Sequence, residues 1–143
     1  MAGGQAIDLA ATGNSLALAQ LTQMHRMKTG ALIAAAVQLG ARCGPALRPA
    51  ETAALDEYAD AAGLAFQVVD DLLDVEGSAA TLGKTAGKDA ACGKPTFVSL
   101  LGAGKARRHA TALCKRAHAA LQPFGDAARR LHELVDWIVA RDH

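Results

Sequence analysis

Residues 66–77, FQVVDDLLDVEG, set three aspartates into a run that is otherwise almost entirely apolar. Turned at 100° per residue, Gln67, Asp70, Asp71 and Asp74 share an arc of about 100°. Leu64, Ala65, Phe66, Val68, Val69, Leu72, Leu73 and Val75 cover most of the remaining girth. A helix apolar around most of its circumference belongs inside a bundle. The acid stripe is therefore expected to face a polar cavity rather than open water. Three neighbouring carboxylates at low effective dielectric repel one another, so they must take up protons, pair with bases or share a cation.

The spacing favours the cation. Positions i and i+4 are neighbours on one face and i+1 flanks them, which makes an all-oxygen donor set. Such a set suits a hard ion such as Mg²⁺, bound through one or two carboxylates, waters and the phosphates of a ligand. A solvated acidic face is the bland alternative, and the surrounding apolarity argues against it. A di-iron bundle needs paired Glu-x-x-His elements, and the stripe holds no glutamate.

The rest of the chain reads as helix. Aromatics are 3% of the residues and the apolar mass is alanine, leucine and valine, which favours helices over strands. The expected architecture is one all-α unit over residues 1–143, with roughly six or seven helices joined by short loops. Residues 2–10 form the first. A second runs to about Thr29, capped by Asn14 or Ser15, and Gly30 interrupts or kinks it before it resumes towards Gly44. Pro49 with Glu51 suits the start of a long helix that continues to about Val75 and stops at Gly77. Residues 77–94 are expected to be a glycine- and lysine-rich loop, followed by a short helix in PTFVSLLG and two more over 105–121 and 126–141. The opening GGQAIDLA is already patterned as helix interior, which suggests a domain that begins further upstream.

The formal charge of +1 gives no global field to draw nucleic acid or an anionic membrane. No apolar run reaches bilayer-spanning length, and the N-terminus lacks the pattern of a signal peptide. Cys43, Cys92 and Cys114 form no CxxC pair, and the reduced thiols of a cytoplasmic protein are the expected state.

A phosphate ligand beside Mg²⁺ calls for cations opposite. TLGKTAGKD supplies Lys84 and Lys88, Lys94 follows, and glycines at 83, 87 and 93 let backbone approach a ligand. No GxxxxGK[ST] is present, so this is not a Walker A loop. Lys28-Thr29-Gly30, at a helix interruption, is a second candidate anion site. Gln5 and Asp8, at i and i+3, either orient a neighbouring lysine or a metal-bound water, or pack. His25 reads as a structural histidine, and His109, His118, His132 and His143 as surface residues. No Ser-His-Asp or Cys-His constellation suggests itself.

Taken together and in this order, GGQAIDL, HRMKTGALI, GLAFQVVDDLLDVEG, ATLGKTAGKD and GKPTFVSLLG resemble the C-terminal half of a trans-isoprenyl diphosphate synthase, a polyprenyl synthetase. The nearest likeness is to the bacterial farnesyl diphosphate synthases, or geranyltranstransferases. The resemblance implies a bundle of long helices around a deep apolar cavity. It implies Mg²⁺-dependent condensation of an allylic diphosphate (dimethylallyl or geranyl) with isopentenyl diphosphate. By motif, Asp70, Asp71 and Asp74 would be the second aspartate-rich cluster, with Asp70 the strongest metal ligand. Lys28, Thr29, Gln67 and Lys84 would contact the allylic diphosphate, with Lys94 a weaker contributor. The first aspartate-rich motif, its arginines and the isopentenyl-binding residues of that family are not found among these 143 residues. The chain alone is therefore expected to be inactive or nearly so. Half a bundle would also expose the apolar faces of 64–75 and 30–42, favouring a homo-oligomer or association with a separate N-terminal half or a fuller homologue. Such a non-catalytic helical partner is the alternative function.

Overall fold

The computed structural model describes residues 1–14, 16–80 and 94–141, the side chains of 77–80 excepted. Among the described residues every regular element is helical: α1 (Ala2–Ala11), α2 (Leu18–His25), a π-helical turn (Arg26–Gly30), α3 (Ala31–Arg42), α4 (Pro49–Ala80), α5 (Phe97–Leu101), α6 (Ala103–Ala120), a 3₁₀ segment (Gln122–Ala128) and α7 (Arg129–Ala140). None of them is long and apolar enough to cross a membrane.

The local chemistry explains most boundaries. Pro49 opens α4, where its missing N–H costs nothing. The Glu51 carboxylate accepts the Arg48 backbone N–H at 2.7 Å and its guanidinium at 2.8 Å. Ahead of α5, Thr96 and Ser99 form a reciprocal cap, with Oγ1 and Oγ each accepting the other's backbone N–H at 3.0 and 2.9 Å. Gly102, at φ +77°, then separates α5 from α6.

Two boundaries differ from expectation. Gly77 does not stop α4, which continues to Ala80; an interior glycine costs a helix about 1 kcal/mol and does not by itself end one. The remainder of the expected 77–94 loop, residues 81–93, lies outside the described residues up to Lys94. At α2 the N-cap position falls on Ala17 rather than Asn14. Gln20 Oε1 accepts the Ala17 N–H at 2.8 Å, while Asn14 turns back and donates to the Ala10 carbonyl at 3.1 Å, closing α1. Ser15 lies outside the described residues.

The long α4 is the axis of the fold. Leu64, Ala65, Val68, Val69 and Leu72 meet Leu21 and Met24 of α2, Phe97 of α5, Ala106, Ala110 and Leu113 of α6, and Ile138 of α7. Nearer its start, Leu55, Tyr58, Ala61 and Ala62 meet Ala117, Leu121, Ala128 and Val135. The alanines along the α4–α6 seam let the two helices lie close. Most of the apolar side of 64–75 is thus covered by α2, α5, α6 and α7, contrary to the exposed patch expected there, while Phe66 and Leu73 are half-buried and Val75 is exposed. The expectation for 30–42 fares differently: α3 holds no fully buried residue, and Leu32 and Leu39 are 57% and 66% exposed.

Candidate functional site

Between α2 and α3 the helix does not break at Gly30. It widens by one residue into the π turn Arg26–Gly30, RMKTG. Such a turn shifts the register of the side chains that follow and is frequent at functional sites. Two glycine contacts hold it. A Cβ at Gly4 would lie 2.2 Å from the Lys28 backbone nitrogen, so α1 crosses the turn closer than any other residue type permits. From the opposite side, Gly63 of α4 would bring a Cβ to 3.3 Å from Gly30 Cα.

The turn presents Lys28 and Thr29. Lys28 Nζ donates to Asp8 Oδ2 at 2.5 Å, and the carboxylate is almost fully buried. Of the readings open for Asp8 in the sequence, orienting a lysine, orienting a metal-bound water or packing, the structure shows the first. An ammonium has three donors, and Asp8 accounts for one. Thr29 Oγ1 donates to Gln67 Oε1 of α4 at 3.1 Å. With its oxygen engaged in this way, the Gln67 side chain has its amide N–H groups as the part chemically able to donate to an anion.

Lys28, Thr29 and Gln5 line a cavity of about 710 Å³ whose other walls are Met1, Ala2, Leu32, Ile33 and Phe66. Polar donors therefore stand at the margin of an otherwise apolar space. Phe66 ties this wall to the acid stripe. The Arg141 guanidinium lies 4.1 Å from the Phe66 ring centroid, donates to the Phe66 carbonyl at 3.0 Å, and forms an ion pair with Asp70. Burial pushes the Asp70 carboxyl above the usual carboxylate range, and Arg141 pulls against that push.

The three aspartates have separate surroundings. Asp70 and Asp74 are half-buried, one turn apart on α4. Asp71 is buried, and its Oδ2 accepts the Phe97 N–H at 2.7 Å, anchoring the start of α5. Lys94 is half-buried, just before that helix. Lys84 and Lys88 lie outside the described residues. Asp70 and Asp74 offer oxygen alone, a donor chemistry that fits a hard divalent ion.

Arg141 gives no signal in the sequence, since 71 residues separate it from Asp70. Three histidines also depart from expectation. His109 packs its ring on Phe97, and His118 and His132 meet ring edge to ring edge between α6 and α7, Nδ1 to Nδ1. His25 is buried and stacked on Phe97, as a structural histidine should be.

Comparison with known proteins agrees with the all-α fold. The chain matches the family described as polyprenyl synthetase over residues 1–131. It is 45% identical to the farnesyl diphosphate synthase of Escherichia coli over 145 aligned positions, 99% of this chain and 48% of that one. It is 48% identical to a protein of Bradyrhizobium diazoefficiens named "Probable farnesyl diphosphate synthase", over 94% of this chain and 41% of that one. The geranyltransferase of Helicobacter pylori, solved in complex with magnesium and isoprenyl diphosphate, aligns with a TM-score of 0.71 at 27% identity, over 97% of this chain and 45% of that one. The chain thus spans less than half the length of these relatives, corresponding to their C-terminal part. It belongs to the polyprenyl synthetase family.

Proposed function

We infer that the chain is the diphosphate-holding part of a prenyltransferase of the farnesyl diphosphate synthase type, which joins an allylic diphosphate to isopentenyl diphosphate. The observation that carries this reading is the placement of Lys28 and Thr29 at the edge of an apolar cavity, with Gln67 bonded to Thr29. Lys28 and the Gln67 amide donate to the leaving diphosphate. Asp8 holds the ammonium in position, and Thr29 orients the amide. Leu32, Ile33 and Phe66 keep water from the prenyl chain, which protects a carbocation once the diphosphate has left. Asp70 and Asp74 would hold Mg²⁺, with Asp71 contributing only its remaining oxygen, and Lys84 and Lys94 would add charge opposite. Mg²⁺ held by these residues would supply charge neutralisation of the diphosphate as it leaves. A single aspartate-rich cluster cannot assemble the whole reaction centre, so the isolated chain binds but does not turn over.

Calorimetry with geranyl diphosphate and Mg²⁺ tests the binding. The expected result is weak, Mg²⁺-dependent heat that falls at least about tenfold in affinity, roughly one charge-assisted hydrogen bond, in Lys28→Ala or Asp70→Ala. Equal heats for wild type and both variants would sink the site. Steady product formation by the isolated chain with isopentenyl diphosphate would overturn the claim of inactivity alone.

One observation favours a second reading, a helical partner for an N-terminal half: the exposed Leu32 and Leu39 of α3. Mixing the chain with the purified N-terminal half of a related synthase decides it. A one-to-one complex lost in Leu32→Glu/Leu39→Glu supports the reading, and two unassociated species refute it.

A further inference from the structure

Apart from the acid stripe, α6 and α7 run as an antiparallel pair joined by the 3₁₀ segment. Each carries an i, i+4 pair of metal-ligating residues on the facing side: Cys114 and His118 on α6, His132 and Asp136 on α7. Cys114 stands across from Asp136, and His118 from His132. One ligand atom from each of Cys114, His118 and Asp136 lies within 4.8 Å of the others. Cys114 Sγ is 3.6 Å from Asp136 Oδ1, His118 Nε2 is 2.7 Å from the same oxygen, and His118 Nδ1 is 2.5 Å from His132 Nδ1.

We propose that Cys114 Sγ, His118 Nε2 and an Asp136 carboxylate oxygen form a binding site for a borderline transition metal, Zn²⁺ in particular, with His132 as the residue that positions the His118 ring. Zinc–ligand bonds of about 2.0–2.3 Å place tetrahedral donors about 3.3–3.8 Å apart. The sulfur–oxygen separation already falls in that range, and the His118–Asp136 contact has to open by less than an ångström. A metal on Nε2 leaves the His118 ring proton on Nδ1, where His132 Nδ1 accepts it; a hydrogen bond to the second ring nitrogen is the usual support of a metal-bound histidine. Binding forms a Zn–S bond, breaks the Cys114 S–H bond and releases that proton to solvent. Asp136 has a 60% exposed side chain, so the fourth position is open to water. Thiolate and imidazole donors select zinc over magnesium, which makes the site chemically distinct from the oxygen set on α4.

The test is titration of the reduced 143-residue chain with Zn²⁺ against a chromophoric chelator, in excess Mg²⁺, with Co²⁺ as a spectroscopic substitute. One Zn²⁺ per chain is expected, together with a thiolate-to-cobalt charge-transfer band. Cys114→Ser abolishes the band and weakens Zn²⁺ binding at least about 100-fold, while Cys43→Ser/Cys92→Ser changes neither. His132→Ala weakens binding about tenfold and His132→Gln, whose amide oxygen still accepts the proton, restores part of it. Circular dichroism of each variant without metal should match wild type. If Cys114→Ser does not fold, Asp136→Asn, at an exposed carboxylate, carries the same measurement. No stoichiometric Zn²⁺ binding, or binding that survives Cys114→Ser and Asp136→Asn, overturns the proposal.

Discussion

At Gly4 a single hydrogen atom stands where any other residue would place a carbon 2.2 Å from the Lys28 nitrogen. The obstruction is backbone, so no rotamer change relieves it. Gly4→Ala must push α1 off the π turn and pull Asp8 away from the Lys28 ammonium. The expected loss is about 1–3 kcal/mol, in the range of overpacked contacts, measured from urea unfolding, and diphosphate affinity should fall with it. An unchanged midpoint would mean that α1 is not seated as described. Asp70 makes the opposite kind of prediction. Its folded-state pKa is raised by burial, against the pull of Arg141. Its contribution to stability is therefore full below the unfolded carboxylate value of about 3.9 and is lost as pH rises through the folded value. Asp70→Asn should gain on wild type as pH rises from about 3 to 7 in the absence of ligand. A difference that is flat with pH would show that Arg141 fully compensates the carboxylate.

Element by element, α4 shows how burial and tethering work together. Tyr58 is 1% exposed, and its hydroxyl donates to the Leu131 carbonyl of α7 at 3.0 Å. Burial pushes the phenol up to about 12. A raised value means that the tyrosine's contribution is intact below the unfolded value of about 10 and is lost as pH climbs through about 12. Because the chain has one tyrosine, ultraviolet titration reads it alone: tyrosinate should form only near pH 12 or with alkaline unfolding, and ionisation near pH 10 in the folded chain would contradict its burial. Tyr58→Phe should cost about 1 kcal/mol, one hydrogen bond. The helices themselves were legible because their signals are local. Apolar periodicity marked α4 as a buried helix, Pro49 and Glu51 marked its start, and Asp8 was among the residues able to orient a lysine. The missed features need knowledge of what lies across a gap. The sequence shows Gly30 as an interruption, yet only the packing of Gly4 and Gly63 on either side explains a π turn. Asp71 shares the stripe by angle, but α5 lies against that edge and takes its carboxylate. Arg141 and the Cys114–His118–Asp136 group are assembled from separate helices, so their spacing along the chain carries no sign of them.

Across the whole molecule, one carboxylate ties the π turn to α4 and α6. Asp60 of α4 accepts from Arg26 Nε and Nη2 at 2.6 and 2.8 Å, a bidentate pair with the first residue of that turn. It also accepts from Arg116 of α6, whose Nε reaches Glu57 at 2.5 Å. Burial alone would raise the Asp60 pKa, but the hydrogen bonds from Arg26 and Arg116 outweigh it and hold the carboxyl below its usual range. With a lowered folded value, the stabilisation is present above the unfolded value of about 3.9 and fades as pH falls through the folded one. The side chains are 27% exposed for Asp60 and 43% for Arg26, so solvent screening limits the gain. Asp60→Asn should cost about 1–2 kcal/mol at pH 7 by urea unfolding, and the gap to wild type should narrow as pH falls below about 4. Because Arg26 begins the turn that carries Lys28 and Thr29, the same substitution should weaken Mg²⁺-dependent diphosphate binding although Asp60 touches no ligand. Lost stability with unchanged affinity would show that Gly4 and Gly63 alone set the turn; lost affinity restored by Asp60→Glu would show that the ion pairs hold it.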